Sequence, residues 1–233
     1  VPVGGGGLCT GVSTLAKLLN PKIKVIAVEP TGAACLKASL EAGEVTTVSK
    51  INTIADGTAV QTPGDKLFPY LQANVDHVIT VDDSELTLSF LDMAENHKMI
   101  VENSGLLTVA ALKHLDFKGK KVVSVLSGGN MDVLTMATVV QNGLMQRDRI
   151  FTVSVMLPDK PGQLAAVSSL IAKEQGNVIK LEHNVFANVN RTAGVELTIT
   201  LESFGTEHKD QIIKALEAAG YCPVITKTNG IYM

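Results

Sequence analysis

Four consecutive glycines, Gly4 to Gly7 in VPVGGGGLCTG, stand directly behind a short apolar run and in front of the helical pattern LCTGVSTLAKLLN at 8–20. Each glycine gives up more conformational freedom on folding than any other residue, so four together are a costly way to turn a corner. A strand, a glycine turn and a helix in that order leave unpaired N–H groups and the positive end of the helix dipole facing the turn, which suits a phosphate. The nucleotide-binding versions fail on spacing. A G-x-G-x-x-G begun at Gly4 meets Cys9 where its third glycine belongs, and begun at Gly5 it meets Thr10; Gly6 and Gly11 have the P-loop separation, but Val12 stands in place of the lysine. What survives is a phosphate cradle of small residues, or a tight strand-to-helix turn without a ligand.

Residues 1–145 alternate strand and helix patterns, which predicts an α/β fold with a parallel, helix-covered sheet. Strands are expected at 22–30, 75–81, 99–102 and 120–127. Helices are expected at 32–43, closed by Gly43, then at 85–97, 104–115 and 132–145, with Asp82, Asp83 and Ser84 as N-caps for the second. The stretch 44–74 is less regular and holds IADG, TPGD and one short helix near 65–73. A second strand-to-helix turn, VLSGGNMD, carries Ser127, Gly128, Gly129 and Asn130. In a parallel sheet both glycine turns belong on the carboxyl edge, facing one cleft.

Past the charged linker QRDR the pattern changes, placing a domain boundary near 146–149, with domains 1–146 and 147–233. Strand 149–157, helix 159–176, alternating strands 177–189 and 193–203 joined by NVNR, helix 206–220 and strand 221–227 make βαββαβ, the ferredoxin-like split arrangement. A net charge of −3, 4% aromatic residues and no basic run beyond Lys120-Lys121 exclude a nucleic-acid groove, so no nucleic-acid partner is expected. The apolar runs are strand-sized, so no membrane partner is expected either. Three cysteines without metal or disulfide spacing, and no leader, point to the cytoplasm and to buried thiols.

PVGGGGL, VIAVEP, IADG, VENSG and VLSGGN, in this order, resemble the second half of the pyridoxal-phosphate-dependent serine/threonine ammonia-lyases, over residues 1 to about 145. From residue 150 onward, PDKPGQL and the element order resemble an ACT domain, an amino-acid-sensing module. The resemblance implies a tryptophan synthase β-like (PLP fold type II) open parallel-sheet domain followed by the ferredoxin-like module. It implies pyridoxal 5'-phosphate as cofactor, its phosphate on the amides of Gly4, Gly5, Gly6 and Gly7 and on the helix opened by Leu8. Ser127 is implied at the pyridine nitrogen, with Gly57 and Glu102 near the ring. A hydroxyl at that nitrogen supports a neutral ring, a weaker electron sink than a protonated one. The implied activity is deamination of L-threonine or L-serine, giving 2-oxobutanoate or pyruvate and ammonia.

The chain departs from that family in one large respect. The Schiff-base lysine of the Ser-x-Lys-x-Arg motif lies upstream in these enzymes, and no lysine here has that context. The chain is therefore expected to be the C-terminal part of a longer enzyme, to need the missing N-terminal half and to be inactive alone. Some relatives bind a divalent cation through positions that here are Glu29, Ala33 and Cys35; cysteine suits a hard cation poorly, so no metal is expected, with Glu29 a surface carboxylate and Cys35 a buried thiol. In the ACT-like segment, Asp159, Gly162, Gln163, Leu164 and Asn177 are effector candidates. Pro161 and Gly162 open a helix whose free N–H groups suit a carboxylate, although Asp159 acting as a plain cap needs no effector. His183 is expected half-buried, and Tyr221 and Cys222 packed. Such modules associate through their sheets, so a homo-oligomer, dimer or tetramer, is expected. The alternatives are a non-catalytic amino-acid-sensing protein and a serine racemase-like enzyme of the same fold.

Overall fold

Two runs rich in β-branched residues, IAVEP and HVITV, make the frame that positions the glycine turn. In the computed structural model, which describes residues 1–184 and 194–228, they form strands β1 (Ile26–Pro30) and β2 (His77–Val81). The two pair in parallel, from Ile26 opposite His77 to Pro30 opposite Val81. The opening tripeptide lies along β1 as well. Val3 donates its N–H to the Val28 carbonyl at 2.9 Å, and Val28 donates to the Val1 carbonyl at 2.9 Å. The glycines therefore leave the sheet at the carboxyl end of a strand, the edge where α/β sheets bind ligands.

The chain divides into two units, Val1–Val139 and Val140–Met233. In the first, helices α1 (Gly7–Leu19), α2 (Cys35–Ala42), α3 (Phe68–Asn74), α4 (Asp83–Asp92) and α5 (Asn103–Ala110) surround the strands, and α6 (Val133–Gln146) runs across the division. Val3, Cys9, Ala27, Leu36, Phe68 and Leu71 form one core cluster. Gly43 ends α2 at φ 78°, as its position in the sequence implies. Asp82 and Glu85 make a reciprocal capping box on α4, which runs on into one π turn at Met93–His97.

Two expected strands do not form. Residues 99–102 and 120–127 have no sheet partner in the structure, and Val123 is 86% exposed. β-Branched composition makes a segment able to be a strand, but only a neighbouring ladder makes it one. The 120–127 segment instead lies along α5, where the Thr108 hydroxyl donates to the Val125 carbonyl at 3.1 Å. The strand expected at 22–30 is also shorter, because the Asp76 carboxylate takes the Val25 N–H at 2.8 Å in place of a ladder partner.

In the second unit, β3 (Ile150–Leu157), α7 (Gln163–Lys173), β4 (Asn177–Asn184), β5 (Val195–Glu202), α8 (Thr206–Ala218) and β6 (Val224–Thr226) give the βαββαβ order. The antiparallel sheet is ordered β4-β5-β3-β6. Phe151, Val153, Val155, Leu157, Val167, Ile171, Leu197, Ile199, Leu201, Ile212 and Leu216 form its core, and Tyr221 packs on it. The NVNR turn, and the strand residues expected beyond 184, lie outside the described residues. His183 and Cys222 are exposed rather than covered, since β4 is an edge strand and Cys222 precedes the short edge strand β6. His208 is buried, accepts the Phe204 N–H at Nδ1 (3.0 Å) and lies 2.6 Å from the Glu174 carbonyl at Nε2, an arrangement that fixes the Nε2–H tautomer.

Asp76 ties α1 to the sheet, since it accepts from Lys17 Nζ at 2.7 Å, Lys24 Nζ at 2.9 Å and the Val25 N–H. Burial pushes its carboxyl up, but the bonds from Lys17, Val25 and Lys24 outweigh that and hold it well below the usual carboxylate range. A depressed carboxyl stabilises above its unfolded pKa of about 4, and the contribution is lost as pH falls toward the folded value. Asp76→Asn is expected to cost about 1–2 kcal/mol at pH 7. Thermal melts of both proteins across pH should show that gap begin to close below about pH 4.

Candidate functional site

The glycine turn is held from behind and open in front. Gly6, the N-cap of α1, has φ 96°, and a Cβ there would lie 2.7 Å from Leu71 Cδ1. A Cβ at Gly4 would meet the Thr58 Cα at 2.9 Å and the Gly57 carbonyl at 3.2 Å. Gly64, of TPGD, donates its N–H to the Gly5 carbonyl at 3.0 Å. At Gly5 and Gly7, by contrast, a Cβ would meet nothing within 4 Å. No side chain caps α1, so its first amides, among them Gly7 and Leu8, point into this open space. The Thr10 hydroxyl, one turn in, is buried without a partner.

The remaining motif residues join the turn through a series of close approaches. Gly57 backs onto Gly4 and faces α5, where a Cβ would lie 2.8 Å from Ser104 Oγ and 3.1 Å from Glu102 Oε1. Glu102 stands at the N-cap of α5, with φ −63° and ψ 155°, but its side chain does not cap that helix. It reaches the second glycine turn, where Oε2 accepts the Asn130 N–H at 3.0 Å. Gly128, at φ 83°, has room for no side chain, since a Cβ would lie 2.2 Å from Glu102 Oε1. Gly105, inside α5, does the same for Ser127, whose carbonyl oxygen would be 2.2 Å from a Cβ. Gly4, Gly57, Glu102, Gly128 and Ser127 are thus assembled by backbone packing that glycine alone permits.

A cavity of about 310 Å³ is lined in part by Asp56, Gly57, Glu102, Asn103, Ser104 and Asn130, and neither Gly4–Leu8 nor Ser127 is among its lining residues. Gly57 and Glu102 were expected at the site, whereas Asn103, Ser104 and Gly105 were not singled out. Asn103 is buried and donates from Nδ2 to the Ile54 carbonyl at 3.0 Å, while Asp83 accepts from the Thr53 hydroxyl at 2.6 Å and from the Ile54 N–H at 3.0 Å, so IADG is pinned from both sides. The available signal was Gly105 itself, a helix-interior glycine that costs about 1 kcal/mol relative to alanine and therefore marks a close approach.

Glu29 is not the surface carboxylate expected of it. It is fully buried, and its two oxygens accept the Leu36 and Lys37 N–H groups at 2.7 and 2.8 Å, which spends the carboxylate on the first turn of α2. Burial pushes its carboxyl up, with the amides of Leu36 and Lys37 opposing. Cys35 is buried, its thiol pushed up to about 12 by burial and then by Glu29, and Cys9 is pushed up to about 11 by burial. Both are inert thiols at neutral pH.

The effector candidates fall into two places. Gly162 is the N-cap of α7 at φ 91°, with Gln163 and Leu164 opening the helix and Asp159 exposed before it; Asp159 does not cap the helix. Asn177 pairs with Glu202, level with Ile150, whereas the β3–α7 loop follows Leu157 at the other end of the sheet, roughly 20 Å away at strand rise. Its side chain donates to Glu202 Oε2 at 3.0 Å. The cavity of about 620 Å³ in this unit, between the end of α7 and the start of α8, contains none of the five.

The family model described as "Pyridoxal-phosphate dependent enzyme" matches residues 1–128, and an ACT domain model matches residues 151–220. The chain belongs to the pyridoxal-phosphate dependent enzyme family. It is 36% identical over 230 residues to an L-threonine ammonia-lyase of Geobacter sulfurreducens, covering 97% of this chain and 57% of that protein. Among solved structures, threonine deaminase isoform 2 from Solanum lycopersicum, in its processed form, matches 60% of this chain and 42% of its own at 33% identity and TM-score 0.56. Serine racemase from Dictyostelium discoideum matches 57% of this chain and 43% of its own at 43% identity and TM-score 0.51. The chain spans about half the length of the proteins it matches. The family's cofactor is pyridoxal phosphate, and the open amides of the glycine turn, with an orphaned hydroxyl behind them, fit the phosphate of such a group.

Adjacent glycines should respond in opposite ways. Gly128→Ala, at positive φ and against Glu102, is expected to cost about 2 kcal/mol in urea denaturation, whereas Gly129→Ala, which meets nothing within 4 Å, should stay within about 0.5 kcal/mol of the parent.

Proposed function

We propose that this chain is the phosphate-holding and regulatory part of a pyridoxal-phosphate-dependent L-threonine ammonia-lyase, with limits at 1–146 for the catalytic portion and 147–233 for the ACT module. The observation that carries the reading is the assembly of Gly4, Gly57, Glu102, Gly128 and Ser127 at the edge of a parallel sheet, in a chain 36% identical to an L-threonine ammonia-lyase. The amides of Gly4, Gly5, Gly6, Gly7 and Leu8 hold the cofactor phosphate, aided by the α1 dipole. The Ser127 hydroxyl faces the ring nitrogen, and Gly57 and Glu102 border the ring. When bound, the cofactor supplies the electron sink that lets the substrate lose its α-proton and then its hydroxyl. In this reading the proton carrier is the lysine of a Ser-x-Lys-x-Arg segment, which lies upstream in the enzymes this chain resembles.

Exposed apolar residues support such a partner segment: Leu8, Leu15, Leu18 and Leu19 lie along α1. The oligomer is supported by β4, an edge strand with Val178, Ile179 and Leu181 exposed. Antiparallel pairing of two copies along β4 brings the Asn177 of one copy toward the level of the Asp159–Leu164 loop of the other, giving the effector candidates one common site. No helix among the described residues is long and apolar enough to cross a membrane. Free Cys9, Cys35 and Cys222 suit a cytoplasmic protein.

The test is complementation. The chain alone with pyridoxal phosphate and L-threonine should form no 2-oxobutanoate, and mixing it with a polypeptide carrying the Ser-x-Lys-x-Arg half should restore formation. Turnover by the chain alone, or none in the reconstituted mixture, would refute the reading. The 43% identity to a serine racemase favours one second reading, which the same mixture distinguishes by D-serine formed from L-serine.

A further inference from the structure

We propose that the hydroxyl of Thr10 is a side-chain ligand of the anion held at the glycine turn, donating to a phosphate oxygen beside the amides of Gly6 and Gly7. The proposal rests on the reading of that turn as a phosphate cradle and adds a residue to it.

A hydroxyl inside a helix has a ready partner in the carbonyl four residues back, and this chain uses it repeatedly. Ser39 donates to the Cys35 carbonyl at 2.7 Å, Thr87 to Asp83 at 3.0 Å, Ser89 to Glu85 at 2.8 Å and Thr138 to Leu134 at 2.9 Å. Thr10 has the same opportunity, because the Gly6 carbonyl is in place and accepts its backbone N–H at 2.8 Å. Its hydroxyl does not take it, and Oγ1 is buried with no partner. Among the described residues one other buried side-chain polar atom is left in that state, Asn103 Oδ1, whose residue lines the 310 Å³ cavity. An unpaired buried polar group costs stability, and native chains keep few of them. Both of these belong to motifs of the candidate site.

Position decides what Thr10 can pair with. It stands three residues after Gly7 and four after Gly6, so it shares their helix face, and a helical side chain leans toward the N-terminus. That end of α1 has no side-chain cap, and a Cβ at Gly7 would meet nothing within 4 Å. Ser13, the next hydroxyl along the buried side of the helix, is fully buried and already donates to the Thr10 carbonyl at 3.2 Å. The turn's amides are donors, and the Thr10 hydroxyl adds another donor at the same place. The group that satisfies them together is an anion rich in acceptor oxygens, and a phosphate monoester is one. Rotation about one side-chain torsion is all the hydroxyl needs to meet it, and a bond to an ionised acceptor is roughly twice as strong as a neutral one.

Two variants test this on the whole chain without cofactor. Thr10→Val keeps the branched shape and removes the hydroxyl, while Thr10→Ser keeps the hydroxyl. Each is compared with the parent by thermal melting and by titration with inorganic phosphate at constant ionic strength, read from the amide resonances of residues 4–8. Thr10→Val is expected to bind phosphate about tenfold more weakly. It is also expected to melt about 2 °C higher, since it removes an unpaired buried hydroxyl. Thr10→Ser should bind phosphate within about threefold of the parent. A Thr10→Val chain that melts lower than the parent, as it would if the hydroxyl served the fold, overturns the proposal. Equal phosphate affinity in the parent and Thr10→Val removes Thr10 from the cradle and leaves the cradle standing, whereas a parent whose amides ignore phosphate overturns the cradle reading and the proposal together.

Discussion

One carboxylate organises the candidate site. Glu102 stands at the start of α5, yet it turns away from the helix amides that an N-terminal acid would ordinarily serve. It binds the Asn130 N–H instead and lies against Gly57 on one side and Gly128 on the other. Both neighbours must be glycine for the carboxylate to be there, and Gly57 in turn supports Gly4. Four sequence motifs, far apart along the chain, are therefore one packed object.

That object explains which parts of the sequence were legible. Glycine in a run, or before a helix, declares a backbone requirement at the residue itself, so GGGG, IADG and SGGN could be read without a structure. Gly43 and the Asp82–Glu85 box were legible for the same reason, being local. A strand is different because its partner is elsewhere. VVSVL and MIVE have the composition of strands and lack the ladder, and no inspection of the segments themselves reveals that. Glu29 was misread similarly. Its position at a strand end suggested exposure, but the first turn of α2 folds over it and supplies two amides.

The second unit shows the same limit in its sheet. The βαββαβ order followed from alternation and turn signals. What the order did not convey is that Asn177 and the Asp159–Leu164 loop lie at opposite ends of the same sheet. Residues close to the two ends of one helix are separated by its full length, and α7 is 11 residues long. One copy therefore does not bring the two to a common place.

The two units also use different chemistry to hold their parts. Around the glycine turn the contacts are close approaches to glycine backbone, with Glu102 and Asn103 as the principal side-chain ties. At 203–209 the ties are hydroxyls, a lysine and an aspartate, all of which depend on charge or orientation. Desolvation pushes the Asp148 carboxyl up, but the bonds from Lys209 and Thr206 outweigh it and hold the group below its ordinary value. A backbone cradle is rigid and insensitive to its surroundings, which suits the placement of a cofactor. A side-chain latch can be opened by a modest change in its neighbours, which suits a control point. The first unit is held by what glycine leaves out, and the latch at 203–209 by what a carboxylate, an ammonium and two hydroxyls share.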